Sequence, residues 1–458
     1  MPHTKIACLG AGSFYFPGVL GDIAVTPGLA GSEITLYDLD FDKAELMAGL
    51  AKRFAETAGA RLRICACRRL ADALDGAGFA LSSIGGSGAS MGGVYGTAAH
   101  DADLLIPSRY GIYQIVGDTA GPAGMMMGLR SVPAYLAICK EMQKRCPDAV
   151  MINHSNPMAV LCRAMVKYGG IEKVIGICHG VQGGIGQVAH LLGCEPEDLE
   201  VVWVGTNHYY WFTRIRMHGK DVYPEVMAKA AARETPHGEQ MSQLLSEAYG
   251  YRLVYCEDGH ALEFYPYLAQ LRDPMEMPYG YGERRGPRYA EIEKRWRQRG
   301  RKPTPKQQAA QRKKQLQEYK ERLDKCSLPQ PSSAIRGEGI AGLVEAIASG
   351  RREVRIVNIP NRGVVSNLPD YAILEVEGVT DSCGVRGIQV GEAPLSLMGI
   401  LQKRIAWQEL VADAAAKGDR NVALQALLLD EMAIPPEKAG KMLDELLAAS
   451  RDLLPQFE

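Results

Sequence analysis

The chain has 458 residues, 47% hydrophobic and 23% charged, which suits a globular protein long enough for two domains sharing a cleft. Fifty-two Lys and Arg face 53 Asp and Glu, and the net charge of -1 leaves no basic field for nucleic acid or an anionic membrane. Apolar runs are broken by Gly, Pro or charge before spanning length, and the N-terminus lacks a signal-like apolar segment, so a cytoplasmic location without a membrane partner is expected.

Residues 5–9 predict a short buried strand running into Gly10-Ala11-Gly12-Ser13, with a helix over 17–24. A second strand over 33–37 ends at Asp38, a helix follows over 42–58, and 79–84 predicts a further strand closed by Gly85 and Gly86. A helix is expected over 132–145, then a strand over 149–152 ending in Asn153-His154-Ser155-Asn156-Pro157. Two more strands, 174–177 and 201–204, each run into a polar loop. This alternation predicts an α/β fold, a Rossmann-type doubly wound parallel sheet in residues 1–200. Residues 201–458 are read as an α+β substrate and oligomerisation domain. Residues 288–325 are dense in Lys, Arg and Gln and are expected to be a solvated helical insertion with i,i+4 charge pairs, a partner-binding arm being the other reading. The eleven cysteines are scattered and read mostly as small core residues rather than a disulfide framework.

A strand, a Gly-x-Gly turn and a helix bring backbone N–H groups and the positive helix end to a pyrophosphate, where a Cβ would block the approach. The third fingerprint position is Tyr15 rather than Gly, and such turns also occur by chance. Asp38 ends the next strand, where a carboxylate accepts from ribose hydroxyls and repels a 2′-phosphate, which favours NAD over NADP. Gly10, Gly12, Ser13, Phe14, Asp38, Gly85 and Asn153 are therefore the candidate cofactor contacts. Ligands of open α/β sheets sit outside the carboxyl ends of strands. Cys178 and His208, each in a loop after a short strand, could hold one divalent metal; a buried Cys and a satisfied core His are the alternative.

The ordered set Gly10-Ala11-Gly12-Ser13, Gly117-Asp118-Thr119-Ala120-Gly121, Leu129-Arg130-Ser131-Val132-Pro133, Asn156-Pro157-Met158-Ala159, Cys178-His179-Gly180, Asn207-His208, Asn367-Leu368-Pro369 and Gly418-Asp419-Arg420 resembles glycoside hydrolase family 4, the NAD- and Mn-dependent glycosidases. The resemblance spans most of the chain outside 288–325. It implies a lactate/malate dehydrogenase-like fold, a glycoside substrate and a homodimer or homotetramer. It also implies that NAD oxidises C3 of the sugar transiently, a divalent metal (Mn2+ or another) polarises the ketone, a base takes the C2 proton, the aglycone leaves C1, and water adds. Carried over residue by residue, Cys178 and His208 match the metal ligands, Asn156 a sugar contact, and His179 the variant found in members acting on unphosphorylated sugars, including uronides. Asp118 matches an active-site acid. Asp258 is the candidate C2 base or else a turn carboxylate, and His260 orients that base, contacts sugar or caps a helix. Arg130, Arg284 and Arg285 could meet a uronate carboxylate or serve in salt bridges. A plain dehydrogenase of the lactate/malate type, acting on a small hydroxy acid or sugar, is the competing reading; it has no use for a metal-binding Cys-His pair.

Overall fold

The computed structural model describes residues 4–85, 97–235, 239–254, 258–265, 281–298, 304–328, 339–430 and 434–457, without the side chains at 258, 259, 262 and 281–287. The first half runs β1 (Lys5–Leu9), α1 (Phe16–Val25), β2 (Glu33–Tyr37), α2 (Phe41–Ala58), β3 (Arg63–Cys67), α3 (Leu70–Leu74), β4 (Phe79–Ser82), α4 (Ala98–Ser108), α5 (Gly121–Arg145), β5 (Val150–Asn153), α6 (Met158–Lys167), β6 (Val174–Gly176) and α7 (Gly180–Leu192). The second half runs β7 (Leu199–Thr206), β8 (Tyr209–Met217), β9 (Lys220–Asp221), α8 (Tyr223–Ala232), α9 (Gln240–Tyr249), β10 (Arg252–Leu253), α10 (Asp258–Phe264), α11 (Tyr281–Gln298) and α12 (Pro305–Asp324). It closes with α13 (Ile340–Ser349), β11 (Val354–Pro360), β12 (Ile373–Asp381), β13 (Gly384–Gly387), α14 (Leu395–Lys417), α15 (Arg420–Leu429) and α16 (Pro436–Ala449).

The large sheet has nine strands in the order β13-β12-β11-β6-β5-β4-β1-β2-β3. Strands β1 to β6 are parallel throughout, and their order is that of a Rossmann sheet. Strand β11 adds antiparallel beside β6, so three strands from the second half extend the sheet. Burial on both faces explains why β1, β4 and β5 read as near-continuous apolar runs. Along β1, Ile6 and Cys8 face α1, α2 and α13, whereas Ala7 and Leu9 face α5, α6 and α14.

Two expectations change, and one strand was not foreseen. The helix expected over 132–145 begins at Gly121. Its glycine-rich first turns look like a loop, but a Cβ at Gly124 would meet the Thr119 backbone at 2.7 Å, and one at Gly128 would meet Val411 at 2.9 Å. Those glycines permit close packing rather than a break. Strand β3 was hidden because it is only partly buried, with Arg63 and Cys65 exposed and Ile64 and Ala66 half-buried, as befits a sheet edge. Finally, β7 does not continue the parallel sheet. It pairs antiparallel with β8 in a second sheet, ordered β10-β8-β7 with β9 on β8.

Candidate active site

The crevice lies where the chain order reverses, between β1 and β4. Gly10 ends β1 with φ +76°, and a Cβ there would stand 2.3 Å from the Ser83 carbonyl oxygen. Both Gly10 N–H (2.9 Å) and Ala11 N–H (3.0 Å) donate to Tyr37 O. Gly12 N–H donates to Asp38 Oδ2 at 2.8 Å, and Asp40 N–H donates to Oδ1 at 2.8 Å. Asp38 thus braces the turn while its carboxylate edges the crevice; burial raises its pKa against the pull of these donors. Ser83 Oγ donates to Ser13 Oγ at 2.9 Å, tying the turn to β4. Tyr15, at the third fingerprint position, stacks on His154 with centroids 3.6 Å apart. Gly85 is buried beyond β4, and Gly86 lies outside the described residues. Asn153 spends its amide inside the protein: Oδ1 accepts from Tyr135 (2.6 Å), Ser82 (3.1 Å) and Ser155 N–H (3.0 Å), and Nδ2 donates to Ser155 O (3.0 Å). It shapes the loop carrying Asn156.

Beside this crevice stands a buried polar cluster. Asp118 Oδ2 accepts from Asn156 Nδ2 at 3.0 Å, and Oδ1 accepts from Thr119 Oγ1 at 2.6 Å. His260 Nε2 lies 3.5 Å from Asp118 Oδ1, and the rings of His208 and His260 are 4.4 Å apart. Ligand atoms of Asp118, His208 and His260 all fall within 4.8 Å of one another, a spacing that fits one divalent cation. Burial would raise the Asp118 pKa, but the close approach and charge of His260, with the charge of His208, hold it well below the carboxylate range. Burial and the neighbouring His260 push His208 down to about 3, which keeps its imidazole neutral as a metal ligand requires.

The hydrogen-bond network also assigns the His208 tautomer. Thr119 gives its proton to Asp118, so its oxygen accepts from His208 Nδ1–H at 3.0 Å, and Nε2 carries the ring's lone pair. His208 occupies a two-residue turn between β7 and β8 with φ +62°, an uncommon conformation for a residue with a side chain. The hairpin is seated on β12 and α14: Thr206 Oγ1 donates to Ile373 O at 2.9 Å and accepts from Gln408 Nε2 at 3.1 Å. The second sheet therefore delivers His208 to the carboxyl ends of the first.

Cys178 follows β6, 5% exposed, and packs in the apolar cluster with α5 and α6; it is not one of the three clustered ligands. His179, the next residue, is exposed, and its charge acts on His208. Asp258 opens α10, but its side chain lies outside those described, as do those of Arg284 and Arg285. Arg130 is 3% exposed and makes a two-pronged ion pair with Asp103, the salt-bridge role.

Sequence reading missed Glu263. Its Oε1 accepts three successive N–H groups, Ile115 at 3.0 Å, Val116 at 2.8 Å and Gly117 at 2.8 Å, just before Asp118. Burial pushes its carboxyl up to about 7 against the pull of His260 and of those donors, and the Asp118 charge adds to the push. Gln114 was also missed; it donates to Ala120 O at 2.8 Å and accepts from Ala123 N–H at 2.9 Å. Only the proximity of Glu263 to His260 along one helix signalled its involvement.

Residues 5–194 match the sequence profile of family 4 glycosyl hydrolase, and residues 203–433 match that of the family 4 glycosyl hydrolase C-terminal domain. The chain belongs to family 4. This glycosyl hydrolase is 29% identical to the alpha-galactosidase of Bacillus subtilis (strain 168), over 99% of the chain and 100% of that protein. An alpha-galacturonidase from the same organism is 30% identical over 98% and 97%. A 6-phospho-alpha-glucosidase from gut microorganisms, solved in complex with NAD and Mn2+, shares the fold with a TM-score of 0.77 at 22% identity, covering 100% of both chains. The more distant likeness is to a lactate dehydrogenase from a deep-sea metagenome library, with a TM-score of 0.51 at 13% identity over 91% and 100%. The fold is thus dehydrogenase-like, and the family is that of a glycosidase.

Proposed function

We propose that this family 4 enzyme hydrolyses an α-linked, unphosphorylated galacto-configured glycoside, neutral or uronic, with NAD and a divalent metal as resident cofactors. The observation that carries the reading is the juxtaposition of a dinucleotide turn with a neutral His208 and an ionised Asp118, tied together through the ends of β1, β4 and β5. The relatives support the sugar class, and the family resemblance matches His179 to the variant of members acting on unphosphorylated sugars.

Both cofactors fit the residues present. The Gly10 cradle admits no Cβ, and a neutral imidazole with a deprotonated carboxylate is a suitable donor set for Mn2+. When bound, NAD supplies a hydride acceptor for C3 and the metal a Lewis acid for the sugar oxygens. The chain's own residues do the rest. Ser13 and Phe14, just before α1, would face the pyrophosphate, and Asp38 would meet the ribose. His208 would anchor the metal, with Asp118, His260 and Cys178 as the competing further ligands. Asn156 contacts the sugar, and Asp258 takes the C2 proton. Activity resides in a cytoplasmic homodimer or homotetramer; among the described residues no helix is long and apolar enough to cross a membrane.

The test is hydrolysis of p-nitrophenyl α-galactoside and α-galacturonide with catalytic NAD+ and Mn2+ in deuterated water. Aglycone release with deuterium incorporated at C2 and no net NADH supports the reading. Stoichiometric NADH without aglycone would convert it to a dehydrogenase.

A further inference from the structure

Residues 288–325 lie outside the motifs of the family resemblance, yet they are not wholly solvated. Helix α12 starts with a capping box, Thr304 with Gln307, and packs on α2. Its outer face carries the expected i,i+4 pairs, such as Lys314–Glu318 and Lys320–Asp324. Its inner face is committed elsewhere. Arg312 pairs with both oxygens of Asp40, and with Asp42 at 2.9 Å. Arg53 of α2 donates to Leu323 O (2.9 Å) and Cys326 O (3.0 Å).

Those anchors set two side chains against the nucleotide turn. Tyr319 meets Phe14 edge-on with centroids 5.0 Å apart, and the Arg322 guanidinium lies 3.5 Å from the Phe14 centroid. Lys43 Nζ stands 5.6 Å from the centre of the Tyr319 ring, and Lys43 and Asp38 flank Gly12. Tyr319 is 6% exposed, and its hydroxyl is buried without a hydrogen-bond partner among the described residues, although it feels the charges of Asp38 and Asp40. A buried donor within the field of Asp38, the carboxylate proposed for the ribose, is expensive unless a ligand completes it.

We propose that α12 is the outer wall of the adenosine end of the dinucleotide site, with the Tyr319 hydroxyl bonding the adenosine ribose and Arg312 locking the wall to the Asp38–Asp40 corner. This rests on the NAD reading above. A cofactor reoxidised within each turnover has no need to leave, and a wall on this side slows its exchange.

The test measures binding of NADH, ADP-ribose and nicotinamide mononucleotide to the wild type, Tyr319→Phe, Arg312→Ala and the outer-face control Lys314→Ala, with melting curves for each. Tyr319→Phe should weaken NADH and ADP-ribose about 5-fold, the value of one hydrogen bond, and leave the mononucleotide unchanged. Arg312→Ala should release NADH faster, and Lys314→Ala should match the wild type. If Tyr319→Phe binds ADP-ribose as the wild type does, the wall is overturned while the NAD site stands. If the wild type binds neither NADH nor ADP-ribose, the cofactor reading falls and the wall with it. Should Arg312→Ala fail to fold, Tyr319→Phe decides alone, since losing an unpartnered hydroxyl leaves the packing intact.

Discussion

Replacing Glu263 by alanine removes one acceptor oxygen shared by three N–H groups on the strand of chain that presents Asp118. Gly117 N–H is buried, whereas Ile115 and Val116 are half-buried and can be rehydrated. A buried donor left unmade costs roughly 1–3 kcal/mol, so a total of about 3 kcal/mol is expected. With an unfolding entropy of about 2.1 cal/mol/K per residue, that lowers Tm by roughly 3 °C. Turnover suffers more: a misplacement of about 1 Å costs on the order of 100-fold in rate, and Asp118 is bonded to Asn156, Thr119 and, through Thr119, to His208. NADH affinity should change little, since among the described residues the hydrogen bonds of Glu263 go to residues 115–117 and not to the Gly10 turn. Glu263→Gln keeps an amide oxygen for the three donors and should recover most of the activity. The assay is steady-state aryl-glycoside hydrolysis alongside NADH titration for both variants. If alanine and glutamine are equally impaired, or alanine turns over within about threefold of wild type, the acceptor oxygen does not position Asp118.

Five further outcomes follow from the same geometry. Glu263 has a folded pKa of about 7, raised from 4.5, so its stabilising contribution is full below about pH 4.5 and is lost as pH rises through 7. The wild type should therefore lose about 3 kcal/mol relative to Glu263→Gln across that window, read by denaturation at each pH; parallel pH curves would refute this. His208→Ala should abolish Mn2+ binding in calorimetry. Comparing Cys178→Ser, Asp118→Asn and His260→Ala then identifies the further ligands: a loss of Mn2+ affinity beyond about 100-fold, more than an outer-shell partner costs, marks a ligand, and a wild-type isotherm removes that residue from the set. Gly10→Ala should eliminate NADH binding, because its Cβ would fall 2.3 Å from Ser83 O; retained affinity would show that the crevice is not the dinucleotide site. Arg130→Leu leaves Asp103 buried and unpaired and should destabilise the fold by about 3–5 kcal/mol, and an unchanged melting curve would argue against a buried ion pair there.

Local chemistry along the chain determined a good deal. The apolar runs of β1, β2, β4, β5 and β6, the Gly10 turn, and Asp38 ending β2 were legible because a buried parallel strand must be apolar and a turn against β4 must lack a Cβ. The ordered motifs were equally legible. Tertiary structure decided the rest. His208 reaches the site on an antiparallel hairpin of a second sheet, a placement fixed by contacts with β12 and α14 far along the chain. Three strands from the second half extend the Rossmann sheet, and no local pattern announces a partner so distant in sequence. Glu263 and Tyr319 look like ordinary helix residues until the fold sets one against the N–H groups before Asp118 and the other beside Asp38. Sequence periodicity reports which face of an element is buried; only the packed chain shows what that face is buried against.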